Sequence, residues 1–414
     1  MAHINRILCL AAQLCATGWC ATYYVDRVGG SDANAGTRPA VAWQSLSRVS
    51  QTAFGPGDYI LLKRGQVWNE QLVISSSGLP EAPITYGAFG PGAVPVIDGA
   101  GVTIPAHQGL VNSNQQTNLV IRDLEVRNSP ADGIVPYLVN GLQIRNCVVH
   151  DNQFNGILAF NGNNITIDSS AFYNNSLNLA ASYAGIAIDG NSTPQSNFSI
   201  SNSTIHDNVG GEAWSGANGI YFGHTGTQIP TLRNVLVTGN EIFRNGNPDQ
   251  NQAGRGISGS FNGDASVVKN HVYQNASAGV YLGDANLTLT IVISENVFWN
   301  NALRQLGGIT NGSGLAERNL LYVDDPDITG MGVEVGGNGP WTIQYNVIDF
   351  ATNTTDPYRG FVHSNDSIQD GILQSNFNEF YSAGPNRWER SDGVILSFTQ
   401  WQSFGFDLIS VNPH

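Results

Sequence analysis

Glycine followed by isoleucine or another apolar residue opens a series of short runs in which apolar and polar residues alternate. Successive pairs are separated by 23, 29, 34, 37, 23, 29, 24 and 28 residues. Strand-like alternation at a recurring interval, with insertions of variable length, is typical of a solenoid in which every coil contributes the same strands. The pairs begin at Gly133, Gly156, Gly185, Gly219, Gly256, Gly279, Gly308, Gly332 and Gly360.

Asparagine recurs at a second position of each unit, at the end of runs such as Ile200 to Asn208. Asparagine suits turns because it tolerates left-handed backbone and bonds its own main chain, and one such residue per coil can form a hydrogen-bonded ladder. No 3.6-residue helical period lies between these positions, so each unit is expected to contain two or three strands and no helix. The predicted fold class is therefore all-β, a right-handed parallel β-helix of roughly ten or more coils. The asparagines are Asn128, Asn152, Asn175, Asn208, Asn245, Asn275 and Asn301.

The front of the chain carries a distinct set of motifs, at residues 23–26, 29–37, 56–58 and 62–65. They resemble the N-terminal module of a large group of secreted bacterial β-helix proteins, which includes polysaccharide lyases and several glycosidase families. The resemblance implies the start of a pectate-lyase-like β-helix and a carbohydrate substrate, and it does not specify the reaction. Residues 42–49 are expected to form a helix that caps the open end of the stack.

The domain organisation follows from these patterns. Residues 1–21, whose only charge is Arg6, are expected to be a signal peptide for secretion or export to the periplasm. Residues 22–105 are expected to form the capping module with the first coils, and residues 106–414 the β-helix. Three of the 4 cysteines lie in the signal segment, so we expect Cys147 to be a buried, unpaired apolar residue.

The net charge is −14, and only 12% of residues are charged. Because no basic cluster is present, we expect no nucleic-acid partner, and we expect a monomer that does not associate with membranes. A strongly anionic polysaccharide would need calcium or local arginines to reverse the field. Ca2+ is the one cofactor that the sequence suggests.

Alternation separates the two faces of the strand that follows each glycine. If the isoleucines point inward, a mixed face of tyrosine, aspartate, serine and glycine points outward, and such a face suits sugar binding. Asp132 and Arg255 precede their glycines, and His224 and Asp284 end their strands. The two outward columns are expected to contain Val135, Leu158, Ala187, Tyr221, Ser258, Tyr281, Thr310 and Glu334, and then Tyr137, Phe160, Asp189, Gly223, Ser260, Gly283, Gly312 and Gly336.

Three consecutive coils carry enlarged loops at one corner, at residues 176–184, 209–218 and 246–255. Long loops inside a compact repeat are commonly functional. We therefore expect the site to lie over the coils that begin at Gly185 and the next two glycines. The loops contribute Tyr183, Glu212, Trp214, Asp249 and Arg255.

Four classes of function are consistent with this surface. A β-eliminating lyase on a uronate polymer would use Arg255 against the carboxylate, with His224, Tyr221 or Tyr281 for proton transfer. Calcium would be held by Asp189 with Asp132 or Asp284.

A glycoside hydrolase would instead pair Asp189 with Glu212 as its two carboxyl groups. Other possibilities are a further carbohydrate enzyme, such as an epimerase, and a non-catalytic carbohydrate-binding or surface protein. In the enzyme interpretations Asp189, His224, Arg255 and Glu212 are the candidate catalytic residues. The candidate substrate-binding residues are Tyr183, Trp214, Tyr221, Tyr281 and Asp249.

Overall fold

The computed structural model describes residues 20–178, 183–190, 194–210, 217–224, 231–246, 254–284, 290–310, 313–328, 330–336, 339–351, 360–364, 373–383, 388–390 and 394–410. Their strands form three sheets, A, B and C. Along the chain, each coil contributes one strand to sheet C, then one to sheet A and then one to sheet B. Strand pairing is parallel between successive coils. This is the expected β-helix. Neither described α-helix is long and apolar enough to cross a membrane.

Sheets A and C share one long strand, β22, whose first half lies in sheet C and whose second half lies in sheet A. Sheet A contains β1 Thr22–Val25, β2 Tyr59–Lys63, β5 Ile84–Phe89, β8 Thr117–Arg122, β11 Asn140–Arg145, β14 Asn163–Asp168, β17 Gln195–Ser201, β20 Thr231–Thr238, β22 Ile257–Val268, β25 Thr290–Ser294, β28 Ser313–Glu317, β31 Trp341–Gln344 and β34 Leu373–Asn376.

Sheet C contains β4 Leu72–Ile74, β7 Gly109–Asn114, β10 Asp132–Tyr137, β13 Ile157–Phe160, β16 Ala184–Gly190, β19 Asn218–His224, β22, β24 Ala278–Asp284, β27 Arg304–Thr310, β30 Met331–Gly336, β33 Val362–Ser364, β36 Trp388–Arg390 and β37 Ile395–Leu396. Its last pair, β36 with β37, is antiparallel.

Sheet B is built from shorter strands. It contains β3 Val67–Trp68, β6 Val96–Asp98, β9 Glu125–Arg127, β12 Val148–His150, β15 Ala171–Tyr173, β18 Thr204–His206, β21 Glu241–Phe243, β23 His271–Tyr273, β26 Val297–Trp299, β29 Leu320–Val323, β32 Val347–Phe350 and β35 Glu379–Ser382. Its outer face carries stacked rings of His150, Tyr173, His206, Phe243, Tyr273 and Trp299, with centroids 4.6 to 5.7 Å apart.

The N-terminal helix is shorter than the sequence predicts. Helix α1 spans Leu46–Ser50 and follows a 3-10 turn at Pro39–Val41, whereas the expected range was 42–49. Trp43 forms a parallel bridge to the first strand instead. The side chain of Ser45 accepts a hydrogen bond from a backbone N–H in the first turn, which fixes the start of the helix there. A second helix, α2 Phe398–Ser403, was not predicted.

The asparagine ladder is confirmed over six coils. From Asn152 to Asn301, each side-chain amide donates to the side-chain oxygen of the next coil, at 2.7 to 3.1 Å. Asn128 was wrongly assigned to this ladder, because it has a φ of 55° and it is Ser129 whose N–H bonds to Asn152. The buried amides satisfy backbone groups at a corner where no strand pairing can do so.

A second ladder, which the sequence analysis missed, lies at the corner before sheet B. It begins where the N–H of Cys147 donates to Ser170, and Cys147 itself is buried and unpaired, as predicted. Asp407 ends the ladder by accepting from Asn378. Its amide members are Asn240, Asn270, Asn296, Asn319, Asn346 and Asn378.

Replacing a ladder residue is expected to destabilise the protein strongly. Asn275→Ala would remove the acceptor of both the N–H and the amide of Asn245 and the donor to the carbonyl of Ile242. Buried groups left unpaired in this way cost roughly 3 kcal/mol in total. Urea unfolding should therefore show a much lower midpoint for Asn275→Ala than for the exposed control Asn114→Ala. Equal midpoints for the two variants would contradict this role of the ladder.

Candidate functional site

The outer face of sheet C carries three columns of side chains. In strand β27 the register differs from the sequence prediction, because Leu306 and not Ile309 pairs with Val280. Gly307 therefore pairs with Tyr281 in the middle column, at the position that the sequence prediction gave to Thr310, and Gly312 lies outside the described residues. The middle column contains Val135, Leu158, Ala187, Tyr221, Ser258, Tyr281, Gly307 and Glu334.

The register differs because one glycine of the Gly-Ile repeat is replaced in this coil. Gln305 stands where the preceding coils have glycine, and its side-chain oxygen accepts from the N–H and the amide of Asn301, both at 3.0 Å. Gln305 thus ends the ladder from within the same coil. Gly308 lies three residues farther along the strand, and Gly360 is likewise displaced by one position, since Val333 pairs with Val362.

The column nearest the N-terminal ends of the strands contains Asp132, Asn155, Ala184, Asn218, Arg255, Ala278, Arg304 and Met331. The column farther along the strands contains Tyr137, Phe160, Asp189, Gly223, Ser260, Gly283, Ile309 and Gly336. Successive members of a column lie in successive coils, roughly 4.8 Å apart.

Two arginines flank one tyrosine on this face. The guanidinium carbons of Arg255 and Arg304 each lie 4.9 Å from the ring centroid of Tyr281. Nε of Arg304 lies 2.5 Å from Oε2 of Glu334, whose residue is only 8% exposed. We call these four residues the arginine cluster. A protonated guanidinium over an aromatic face is held by the ring quadrupole as well as by its ion pairs.

Burial and neighbouring charges shift the pKa values within the cluster. The pKa of Arg255 is lowered, first by burial and then by the charge of Arg304, although the guanidinium stays protonated at any physiological pH. The pKa of Tyr281 is raised by burial and then by Glu334, against the opposing effect of both arginines. The Tyr281 phenol is thus a proton donor at neutral pH.

Gly307 provides the space for the cluster. A Cβ added there would lie 2.8 Å from Cδ2 of Tyr281 and 2.9 Å from Cδ of Arg304. The tyrosine ring therefore lies against bare backbone of the next coil. Gly223 likewise provides space for the ring of Tyr221, which lies in the same strand. Atoms of that side chain would lie within 2.3 Å of a Cβ added at Gly223. Arg255 interacts electrostatically with Tyr221 as well as with Tyr281.

Asp132 is a buried carboxyl group on this face whose pKa is raised. It is fully buried, and its Oδ1 accepts from the N–H and the amide of Asn155 at 2.9 and 2.7 Å. Burial raises its pKa to about 6, although these two hydrogen bonds and the His107 charge act in the opposite direction. It lies in the same column as Arg255 but four coils away, roughly 19 Å.

Asp189 and the tyrosines lie on the expected face. Asp189 is buried and accepts from the N–H of Gly190 at 2.6 Å. Tyr221 packs beside a small apolar cluster that includes Ala187. Tyr183 stacks on Phe154 with ring centroids 4.5 Å apart. The structure thus separates Tyr183 from the arginine cluster, since it lies nearer to Asp132.

The remaining predicted residues are not described in full. Glu212, Trp214 and Asp249 lie outside the described residues, as do the side chains of His224 and Asp284, whose backbones end β19 and β24. The pairing of Asp189 with Glu212 therefore stays a prediction.

The aspartates do not meet in a calcium site. Asp132 and Asp284 are five coils apart, roughly 24 Å, and Asp189 lies five positions along the strand from the Asp132 column, roughly 16 Å. Asp189 and Asp284 are three coils apart, roughly 14 Å. Within the described residues, no three histidine, cysteine or acidic side chains are grouped so as to hold a metal ion. The described side chains of Asp132 and Asp189 therefore do not fit one shared calcium ion.

Sequence analysis missed Arg304 and His107, and it placed Glu334 on this face without a role. Arg304 could have been found if Gln305 had been recognised as the residue that replaces glycine, because Arg304 then falls two coils after Arg255 in one column. No repeat signal marks His107, which precedes the first complete pair.

A family model for the right-handed β-helix region matches residues 109–194 and 132–349, together more than half of the chain. The chain belongs to the right-handed β-helix family. Among solved structures, the surface adhesin PfbA of Streptococcus pneumoniae superposes with a TM-score of 0.55 at 12% identity, over 79% of this chain and 90% of that chain. Pectate lyase Pel9A gives a TM-score of 0.51 at 18% identity, over 77% and 76%. These two likenesses show the fold alone.

A curated relative is a lacto-N-biosidase of Bifidobacterium longum subsp. longum. It is 44% identical over 73 residues, which are 17% of this chain and 5% of that protein. The match therefore spans a small part of both proteins, and it shows a shared segment rather than a shared activity.

The raised pKa of Asp132 predicts a pH-dependent stability. Because the pKa in the folded chain, about 6, exceeds the ordinary value of 3.8, the native state binds this proton more tightly. Its contribution to stability is therefore full below about pH 4 and is lost as the pH rises through about 6, by an amount on the order of 3 kcal/mol. Asp132→Asn cannot ionise and should lack this loss.

The measurement is urea unfolding of both proteins from about pH 4 to about pH 8. The stability of Asp132→Asn relative to the unmodified protein should increase with pH across this interval. A difference that stays constant with pH would show that Asp132 does not titrate with a raised pKa.

Proposed function

We propose that this protein is a polysaccharide-cleaving enzyme that binds its substrate lengthwise on the outer face of sheet C. The reaction that we propose is β-elimination at a uronate residue. The observation that carries the proposal is the arginine cluster, in which Arg255 and Arg304 flank Tyr281 at 4.9 Å.

The charge balance of the cluster supports an anionic substrate. The whole chain has a net charge of −14, yet two guanidinium groups here face one carboxylate, that of Glu334. Arg304 is paired with Glu334, which leaves Arg255 as the group best suited to a carboxylate of the substrate. Partial burial strengthens such an interaction because water screens it less.

Three side chains would carry out the β-elimination. Arg255 would neutralise the uronate carboxylate and so acidify the neighbouring C5–H. Tyr221, whose phenolate the Arg255 charge would stabilise, is our choice for the base that removes this proton. The C4–O bond breaks as the C4=C5 double bond forms, and the Tyr281 phenol donates a proton to the departing oxygen. Tyr221 regains its starting form when it passes the proton to solvent, and the Tyr281 phenolate takes up a proton from solvent.

Hydrolysis is the second candidate. The raised pKa of Asp132 favours it, because a carboxyl group that titrates at about 6 can serve as a general acid. The matching segment of a lacto-N-biosidase also points to glycosidases. Its partner carboxylate would have to come from outside the described residues. We further propose that either activity operates outside the cytoplasm, because the first 21 residues are predicted to be a signal peptide.

The reaction class can be read from the products. The purified protein should be incubated with pectic, alginate, glucuronan and neutral polysaccharides, with and without EDTA, while ultraviolet absorbance and reducing ends are followed together. We expect both signals to rise on a uronate polymer and to be insensitive to EDTA. Reducing ends without absorbance would contradict elimination and favour hydrolysis. Loss with EDTA would contradict an arginine-based mechanism.

Arg255 and Arg244 form a matched pair for mutagenesis. Each guanidinium lies over an aromatic ring, but Arg244 lies over Phe243 on sheet B and pairs with Asp207. Arg255→Ala should lower kcat/KM by roughly 10²–10³, since it removes charge stabilisation at the reacting carboxylate. Arg244→Ala should leave kcat/KM unchanged. Equal losses in both variants would show that the cluster has no specific role.

A further inference from the structure

A second group of side chains surrounds Asp132, which lies in the same column as Arg255 but four coils nearer the N-terminal end of sheet C. The buried Oδ2 of Asp132 has no hydrogen-bond partner among the described residues, while Oδ1 is satisfied twice by Asn155. A fully buried carboxylate oxygen without a donor is costly, so its retention calls for an explanation such as a functional role.

His107 lies above this oxygen without bonding to it. Its Nδ1 is 4.0 Å from Oδ2 of Asp132, and its side chain is 60% exposed. That distance exceeds a direct hydrogen bond. Because Oδ2 is inaccessible in this arrangement, a ligand hydroxyl would reach it only after the exposed His107 side chain changed rotamer. A hydroxyl group that then lay beside Oδ2 would donate to the carboxylate.

Aromatic rings surround the same position. Phe154 and Tyr183 stack with centroids 4.5 Å apart and planes inclined by 19°. The His107 ring lies 5.7 Å from Phe154 and 6.5 Å from Tyr183. All three rings are at least partly exposed. A carboxylate that accepts from hydroxyls, beside an apolar ring surface, matches the two faces of a sugar.

We propose that Asp132, His107, Phe154 and Tyr183 form a distal sugar-binding subsite of the groove on sheet C. Its ligand is a sugar residue of the same polysaccharide chain that reaches the arginine cluster, so this inference rests on the proposed function. We call it the distal subsite.

The distance between Asp132 and the arginine cluster determines how long an oligomer must be to contact both. Asp132 and Arg255 occupy one column, four coils apart, which is roughly 19 Å along the axis. A disaccharide cannot reach both centres, whereas a long oligomer can. The protein should therefore bind long oligomers more tightly than short ones, because the second contact is made without a second loss of overall freedom.

The experiment is calorimetric titration of the full chain in a Tyr281→Phe background, in which the oligomers should stay intact. The probes are oligogalacturonates graded from disaccharide to octasaccharide, with a matching cello-oligosaccharide series as the neutral arm. Tyr183→Ala and His107→Ala are the test variants, because both side chains are partly exposed and their loss leaves the ladders intact. Tyr345→Ala is the control, since Tyr345 is also exposed and stacked, on Phe377, away from sheet C.

We expect affinity to rise with length and to reach a plateau once both centres are spanned. Tyr183→Ala should weaken octasaccharide binding by roughly tenfold and leave disaccharide binding unchanged. Asp132→Asn should weaken the octasaccharide less than Tyr183→Ala, because an amide retains one polar group for the hydroxyl. Tyr345→Ala should match the background protein at every length.

The outcomes separate this inference from the proposed function. A length-dependent gain that Tyr183→Ala abolishes would support the distal subsite even if the unmodified protein cleaved nothing, a result that would overturn the proposed function alone. The distal subsite would be overturned by cleavage without any dependence of affinity on length, by equal losses at all lengths in Tyr183→Ala, or by no binding to either series.

Discussion

Backbone hydrogen bonding between successive coils is the constraint on which the rest of this structure depends. Parallel pairing places equivalent residues roughly 4.8 Å apart, so a residue's coil and column together define its neighbours. The two asparagine ladders hold this register at the corners, where strand pairing stops and backbone groups would otherwise be unsatisfied. Asp407 and Gln305 end the ladders with side-chain oxygens.

The register explains why the outer face of sheet C has two chemically different centres. Arg255 and Arg304 fall in one column two coils apart, and both therefore reach the Tyr281 ring between them. Asp132 falls in the same column but four coils away, so it cannot take part in their chemistry. The buried pair of Arg304 with Glu334 adds little net stability, and its effect is to fix the geometry of the cluster.

The repeat made the fold predictable, and local exceptions to the repeat limited the prediction of the site. Regular spacing of Gly-Ile pairs was sufficient for the β-helix, for the outward position of Tyr281 and for the ladder from Asn152 to Asn301. The column of Arg304 was missed because Gln305 replaces the glycine and supplies the ladder contact itself. The proximity of His107 to Asp132 depends on a loop that precedes the repeat, and alternation carries no information about such a loop. Charge and burial, which set the pKa of Asp132, appear only when the coils are stacked.

The most direct test of the account is a crystal structure of the Tyr281→Phe variant with a long oligogalacturonate. We predict an oligomer that lies along sheet C, with a carboxylate against the Arg255 guanidinium and a sugar ring beside Tyr183. An oligomer bound elsewhere, for example on the aromatic rings of sheet B, or one whose carboxylates avoid Arg255, would contradict the assignment of this face as the site of polysaccharide cleavage.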